Sequence, residues 1–222
     1  MTETLLLAVI LIPCLIIAIV FHEVAHGWTA LALGDPTAKE QKRLSLNPIR
    51  HVDPIGTLLV PGALALFGGP IFGWAKPVPV RGDRLRDPRF GMVAVAAAGP
   101  GTNLLLAFVG ALLFGTISGA IIASGGVPPE WLLTAGGMFI LINVFLALFN
   151  LLPIYPMDGG HIVYRVLHGT VSSPEKVTAV LSWIAIAAIL VGLSSRGFSI
   201  QWAAIILGLM AFENWQIFRG SR

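Results

Sequence analysis

The chain has 222 residues, of which 56% are hydrophobic and only 11% are charged, with a formal net charge of +3. Soluble domains carry about 25% charged residues, so this composition excludes an ordinary soluble domain and predicts a protein that spans a membrane several times. The single cysteine, Cys14, excludes an intrachain disulfide and a cysteine-based metal site. We expect one membrane domain over residues 1–222, and we expect no nucleic-acid partner.

Five long apolar segments predict membrane-spanning helices, because each approaches the roughly 20 residues that a helix needs to cross a bilayer. They are Leu5–Leu33, Phe90–Ser124, Trp131–Leu152, Val177–Ser194 and Gln201–Phe218. A further apolar stretch, Gly56–Ala75, is rich in proline and glycine, and these helix breakers argue against a simple helix throughout it. The predicted fold is therefore all-α and polytopic, with about five to six transmembrane helices.

The distribution of basic residues predicts the path of Gly56–Ala75. If this stretch crossed the membrane, the 14 basic residues of the chain would divide nine to five between the two sides. If it enters and leaves on the same side, Arg196 alone lies outside and the other basic residues face the cytoplasm, as the positive-inside rule requires. We therefore predict a re-entrant element at about 56–75, for which a β-hairpin is one form. The N-terminus is then outside and the C-terminus is cytoplasmic.

The first apolar segment contains the motif His22-Glu23-Val24-Ala25-His26. Two histidines four residues apart project from the same side of a helix and can bind one metal ion, and the glutamate can act on water as a base. Ionisable groups are costly in lipid, which makes them functional candidates. If the helix stops near Gly34, the two histidines lie about 18 and 12 Å from its cytoplasmic end.

A catalytic zinc site usually has three protein ligands, and Asp158 is the best candidate for the third. Pro153 and Pro156 break the helix before it, and two glycines follow it, so the broken end can carry the carboxylate back toward the histidines. The alternative is that Asp158 caps a short helix over residues 159–168. The histidine motif favours the metal-ligand interpretation.

Asn150 lies near the end of an apolar span, eight residues before Asp158. It can form an interhelical hydrogen bond, as amides in membrane bundles commonly do, or it can donate to the carbonyl of a substrate. The sequence favours neither interpretation over the other.

Three segments together resemble the site-2 protease family of intramembrane zinc metalloproteases. They are His22-Glu23-Val24-Ala25-His26, Ala98-Gly99-Pro100-Gly101-Thr102-Asn103 and the segment from Asn150 to Gly159. The resemblance implies one zinc ion per chain, held by His22, His26 and Asp158. It also implies that Glu23 is the general base and that Asn150 lies near the scissile bond.

Two further segments, Asn47–Thr57 and Gly73–Val80, are similar to the compact subgroup of that family, which lacks PDZ and CBS domains. Gly68-Gly69-Pro70 is similar to the family's membrane-dipping β-structure, onto which an extended substrate could add as a strand. The resemblance implies an endopeptidase of the cell membrane that cuts within or near transmembrane segments of protein or peptide substrates, in regulated intramembrane proteolysis. Besides such a substrate, the expected partner is the lipid bilayer; the sequence does not indicate an oligomeric state.

Two further questions have alternative answers, namely the role of His51 and the function of the whole chain. His51 is either a loop histidine at the interface, which we favour slightly, or a ligand that fills the open zinc position in a closed state. The chain could also be a divalent-metal transporter that uses His22, His26 and Asp158 as its ion site, or a non-proteolytic membrane binding protein. Glu23 favours hydrolysis, because transport needs no base beside the first histidine.

Overall fold

The computed structural model describes residues 3–66, 73–196 and 200–220, which form a bundle of helices with no β-strand in these ranges. The α-helices are α1 (Glu3–Ala32), α2 (Thr37–Glu40), α3 (Val60–Leu66), α4 (Pro88–Ala123), α5 (Glu130–Asn150), α6 (Asp158–Leu167), α7 (Pro174–Ser195) and α8 (Gln201–Gly220). Short 3-10 turns lie at Pro48–His51 and Gly82–Arg84, and a π-helical turn lies at Pro54–Leu59.

In the part of the chain that the structure describes, four segments are long and apolar enough to cross a membrane: Val9–Ala32 of α1 and the whole of α4, α5 and α7. The prediction of an all-α, multi-pass membrane protein is confirmed. The fifth predicted span is helical, as α8, but Glu213, Asn214 and Gln216 make its second half polar. The total of five to six spans therefore stays a prediction.

The two ends of the predicted re-entrant stretch lie side by side. The backbone N–H of Trp74 donates to Gly56 O at 3.1 Å, and that of Lys76 donates to His51 O at 2.8 Å. This is the arrangement that entering and leaving on one side requires. The re-entrant path itself and the Gly68-Gly69-Pro70 segment include residues 67–72, which lie outside the described residues, so both stay predictions.

Residues 56–66 of this stretch are helical, where the sequence favoured irregular or β structure. Pro54, just before the stretch, stands at the first position of the π-helical turn and needs no N–H there, and Pro61 lies in the first turn of α3, where proline is tolerated. The carboxylate of Asp53 caps the turn by accepting from the N–H groups of Ile55 and Gly56.

The helix α4 organises the bundle, because it packs against α1, α5 and α6. A second unit is formed by α7 and α8, which pack on each other, and α7 packs on α6. The short helix α6 therefore lies between the two units. This position matters because its first residue, Asp158, belongs to the candidate site.

Asp35 ties the end of α1 to the segment that follows residue 80. Gly34, with a positive φ of 112°, turns the chain, and the fully buried Asp35 then accepts hydrogen bonds from Thr37 and from the N–H of Arg81. Burial by itself would raise the pKa of Asp35, but these hydrogen bonds, assisted by the charge of Arg84, hold the pKa below its ordinary value.

We expect Asp35→Asn to destabilise the protein by about 1.5–3 kcal/mol at neutral pH, since hydrogen bonds to a charged group are lost. The folded-state pKa is depressed, so the contribution is complete above the unfolded pKa of about 4 and is lost as the pH falls below it. Thermal unfolding in detergent should show a constant gap to wild type from pH 7 to about 5, narrowing below about pH 4. Asp83→Asn is the control, because that carboxylate is 66% exposed and should matter little. Equal losses in both variants would contradict the account.

Candidate metal centre

The motif on α1 presents two imidazole nitrogens to one point inside the bundle. The Nε2 atom of His22 lies 3.2 Å from Oδ2 of Asp158, and the Nε2 atom of His26 lies 3.5 Å from Oδ1 of the same carboxylate. The side chains of His22, His26 and Asp158 are 9%, 12% and 15% exposed. Ligand atoms of the three residues all lie within 4.8 Å of one another, which is close enough for one metal ion.

The break between α5 and α6 delivers Asp158 to this point. The first turn of α6 approaches the turn of residues 151–157 so closely that a Cβ on Gly159 would lie 2.2 Å from Leu152 O. A Cβ on Gly160 would lie 2.6 Å from the backbone N of Tyr155. Both positions therefore require glycine. Met157 occupies the N-cap of α6, and Asp158 is the first residue of the helix. Asp158 therefore does not act as the helix cap that the alternative interpretation required.

The other nitrogen of each imidazole is hydrogen-bonded, which fixes how the rings can act. The Nδ1 atom of His26 lies 2.7 Å from the carbonyl oxygen of Val95, which can only accept. The Nδ1 atom of His22 lies 2.7 Å from Oδ1 of Asn103. Both rings therefore carry a proton on Nδ1, which leaves Nε2 as the atom that can offer a lone pair to a metal ion.

A pair of buried asparagines sets the orientation of the Asn103 amide. Its Nδ2 donates to Ala18 O at 3.1 Å and to Oδ1 of Asn143 at 2.9 Å, so its Oδ1 must face His22. Asn143 in turn donates to Phe139 O. Both asparagines are fully buried. Neither asparagine had a predicted role, although a polar amide within an apolar span was a usable signal.

Gly99 of α4 lies directly against both imidazole rings. A Cβ at this position would come within 2.5 Å of Nε2 of His26 and within 2.6 Å of Nε2 of His22. Real Cβ atoms do not approach other atoms this closely, so only glycine leaves the two nitrogens free. The space in front of the ligand atoms thus depends on the missing side chain of Gly99.

Glu23 is held beside the centre but outside the ligand set. Its Oε2 accepts a hydrogen bond of 2.9 Å from the backbone N–H of Val78. The prolines 77 and 79 on either side of Val78 have no N–H, so Val78 supplies the donor of this short segment. Arg43 anchors the same segment by donating to Lys76 O at 2.6 Å. The carboxylate is therefore oriented by backbone and half-buried.

Two predicted residues are not brought into the cluster. The amide of Asn150 donates to Leu146 O of its own helix at 2.9 Å, and the structure records no bond from it to the histidines or Asp158. His51 is buried, and its Nε2 lies 2.7 Å from Ser45 O, so it serves as a loop residue in this conformation. The functional roles suggested for both stay predictions.

The donor set fits a zinc ion. Oδ2 of Asp158 is buried with no recorded hydrogen-bond partner among the described residues, and it lies 3.2 Å from Nε2 of His22. A carboxylate and two imidazole nitrogens that converge in this way need a positive charge, which a metal ion or protons on the imidazoles can supply. Two imidazoles and one carboxylate are a ligand set that zinc accepts in catalytic sites.

We expect Asn103→Leu to weaken zinc binding by about 10–100-fold, since residues that orient metal ligands typically have effects of this size. The physical reason is that His22 loses the acceptor that keeps its proton on Nδ1. Chelator competition on the purified protein measures the affinity. Asn47→Leu, at an exposed residue whose side chain caps a surface turn, is the control and should bind zinc normally. Normal zinc affinity in Asn103→Leu would show that Asn103 does not support zinc binding through His22.

Comparisons with known proteins find similarity to metalloproteases. Residues 122–193, which contain Asp158, match the model of peptidase family M50. "Putative zinc metalloprotease YwhC" of Bacillus subtilis (strain 168) is 40% identical over 158 residues, which are 69% of this chain and 67% of that protein.

More distant relatives carry the same kind of name. "Putative zinc metalloprotease Rip3" of Mycobacterium tuberculosis (strain ATCC 25618 / H37Rv) is 31% identical over 72% of this chain and 37% of its own length. "Putative zinc metalloprotease Rip2" of Mycolicibacterium smegmatis is 29% identical over 65% of this chain and 52% of its own length. The chain thus spans about a third to a half of these two relatives. No solved structure matches it significantly.

Proposed function

The chain belongs to peptidase family M50, the family of the site-2 proteases, and on that premise we propose that it cuts peptide bonds within or near transmembrane segments. The predicted resemblance is confirmed, and with it a multi-pass membrane zinc metalloprotease. One observation carries the proposal of an intramembrane substrate. His22 and His26 lie on a helix that is itself apolar enough to span a bilayer, and Asp158 of α6 converges with them.

The depth of the centre supports a substrate that lies in the membrane. His22 and His26 stand ten and six residues before the end of the apolar segment Val9–Ala32. At 1.5 Å per residue they lie about 15 and 9 Å from that end. A soluble polypeptide would have to enter the apolar layer to reach this depth, whereas a transmembrane segment is already there.

We assign the zinc to His22, His26 and Asp158. When bound, zinc supplies a Lewis acid that lowers the pKa of water toward about 7 and polarises a carbonyl group. Asn103 and the carbonyl of Val95 hold the two imidazoles in the orientation that binding needs. Their hydrogen bonds lie on the far side of the rings, so they do not compete for the Nε2 lone pairs.

Glu23 acts as the general base in this proposal. Its carboxylate accepts a proton from the attacking water and passes a proton to the leaving amine. The N–H of Val78 orients one carboxylate oxygen and leaves the other for proton transfer. Asn150 donates to the substrate carbonyl through its amide NH2 group, which has a second N–H besides the one that bonds Leu146 O.

The proposed topology places the N-terminus outside and the C-terminus in the cytoplasm of a cell-membrane protein, with the centre nearer the cytoplasmic side. The distribution of basic residues supports it, because Arg196 alone then lies outside. Water would reach the centre from the cytoplasm in this arrangement. The resemblance to the site-2 proteases supports adding regulated proteolysis to the proposal.

The test places the purified protein in lipid vesicles with a single-span reporter. We expect cleavage of the reporter, its loss with a chelator and its return with added zinc. A water-soluble peptide with the same extramembrane sequence is the matched control and should stay intact. Zinc flux into the vesicles without any cleavage would contradict the proposal and support the transporter alternative.

A further inference from the structure

The turn between α5 and α6, residues 151–157, is held by two buried polar side chains from the other helical unit. The N–H of Tyr155 donates to Oγ of Ser182 in α7 at 3.2 Å, and the carbonyl of Tyr155 accepts from Nδ2 of Asn214 in α8 at 2.7 Å. Ser182 and Asn214 are 0% and 1% exposed. Both backbone polar groups of one residue are therefore satisfied by helices that carry no metal ligand.

These bonds answer a requirement of the broken helix. Where a helix is interrupted at membrane depth, its freed backbone groups must find partners, since lipid offers none. Ser182 also lies 3.1 Å from Pro153 O and 2.9 Å from Thr178 O, and its single hydroxyl proton serves one of these carbonyls at a time. Asn214 uses its second amide proton on Met210 O of its own helix.

The same turn is anchored to α7 and α8 by apolar contacts. Ile154, immediately before Tyr155, and Met157, two residues after it, are buried in one cluster with Ile186 of α7 and Leu207 of α8. The turn is thus fixed by hydrogen bonds at Tyr155 and by side-chain packing at its neighbours.

The fixed backbone of Tyr155 touches the first turn of α6. The chain approaches so closely that a Cβ on Gly160 would lie 2.6 Å from the N of Tyr155 and 2.8 Å from its Cα. Asp158 stands two residues before Gly160, at the start of this rigid turn. A displacement of Tyr155 therefore displaces the carboxylate of Asp158 relative to the histidines of α1.

We propose that Ser182 and Asn214 are positioning residues for the metal centre, which fix the carboxylate of Asp158 through the backbone of Tyr155. The inference rests on the proposed function in one respect, namely that Asp158 binds zinc. It extends the centre beyond α1, α4 and α6, and it couples the α7–α8 unit to the third ligand. A movement of that unit would change the affinity of the site for zinc.

The test measures zinc affinity by chelator competition on the full-length protein in lipid nanodiscs. We expect Ser182→Ala and Asn214→Leu each to weaken zinc binding by about 10-fold, the lower end of the range for residues that support ligands. Thr178→Val is the matched control, because its buried hydroxyl on the same helix bonds Pro174 O of that helix. It should leave zinc affinity unchanged. Thermal unfolding of each variant measures stability separately, and Ser182→Ala, the smallest change, carries the test if Asn214→Leu does not fold.

A second background separates positioning from a general loss of structure. We expect Asp158→Asn to weaken zinc binding and Ser182→Ala to cause no further loss in that background, because the two changes act through one ligand. A 10-fold loss in both backgrounds would overturn the inference. Normal zinc affinity in both Ser182→Ala and Asn214→Leu, together with reduced affinity in Asp158→Asn, would also overturn the inference. The proposed function would stand in that case. Normal affinity in Asp158→Asn would overturn the ligand assignment and the inference together.

Discussion

Glu23→Gln is expected to slow cleavage of a membrane-embedded reporter by about 10²–10⁴-fold while the protein keeps its zinc. General acid–base catalysis by one positioned side chain has this magnitude. Glutamine matches glutamate in size and can still meet the N–H of Val78 through its carbonyl oxygen, so the fold should not change. It cannot take up the proton of the attacking water. Zinc should stay because the oxygens of Glu23 are outside the group of converging ligand atoms.

The matched control for this prediction is Glu130→Gln, at an exposed glutamate in the first turn of α5. It removes the same charge far from the centre and should leave the cleavage rate unchanged. Single-turnover cleavage in vesicles and metal analysis of the same samples give both readouts. Full activity in Glu23→Gln would exclude Glu23 as the base. Loss of zinc together with activity would instead make Glu23 a ligand, which also contradicts the assignment.

Gly99→Ala is expected to reduce zinc affinity by at least about 100-fold and to abolish cleavage. The added Cβ would lie about 2.5 Å from both Nε2 atoms, in the space where these lone pairs must meet a cation. The rings cannot swing away without breaking the Nδ1 bonds to Asn103 and Val95. A one-methyl change on α4 should therefore act as strongly as the removal of a ligand.

Gly101→Ala provides the control on the same helix, two residues further on. A Cβ there meets no atom within 4 Å, so zinc affinity and cleavage should both stay normal. Alanine also favours the helix over glycine by about 1 kcal/mol, which makes destabilisation of Gly101→Ala unexpected. Comparable zinc binding by the two alanine variants would show that the position of Gly99 relative to the histidines is wrong.

The sequence was sufficient to predict which residues converge in the candidate metal centre, because they lie on one helix or next to a marked break. His22 and His26 follow from helical periodicity alone, and Asp158 follows from Pro153 and Pro156, since proline interrupts a helix wherever it folds. Gly159 and Gly160 could also be interpreted from the sequence, because they directly follow Asp158 at the broken end of the helix. These inferences needed no knowledge of which helices touch.

The residues that support the ligands could not be predicted with the same ease. Asn103 and Asn143 act through contacts between α1, α4 and α5, and sequence periodicity does not give the rotation of one apolar helix against another. The hydrophobic residues of these spans surround each helix, because lipid and core are equally apolar. Gly99 belonged to a quoted motif, but its contact with the imidazoles depends on the same unknown rotation.

Two elements near the membrane surface show a second limit. Proline and glycine in residues 56–75 argued against a simple helix, yet residues 56–66 are helical, because Pro54 and Pro61 lie in first turns, where proline is tolerated. The amide of Asn150 was expected to reach across helices or toward substrate, and it bonds its own helix instead. In both cases the residue type was informative, but its structural effect depends on where the residue lies in its helix.

The zinc X-ray absorption spectrum of the purified protein tests the metal centre most directly. The account predicts one zinc per chain, with scattering from two imidazole rings at about 2.0–2.1 Å, oxygen in the remaining positions and no sulfur. Asp158→Asn should alter the oxygen shell and keep both imidazoles. A spectrum with sulfur, with fewer than two imidazoles, or unchanged by Asp158→Asn would contradict a centre formed by His22, His26 and Asp158.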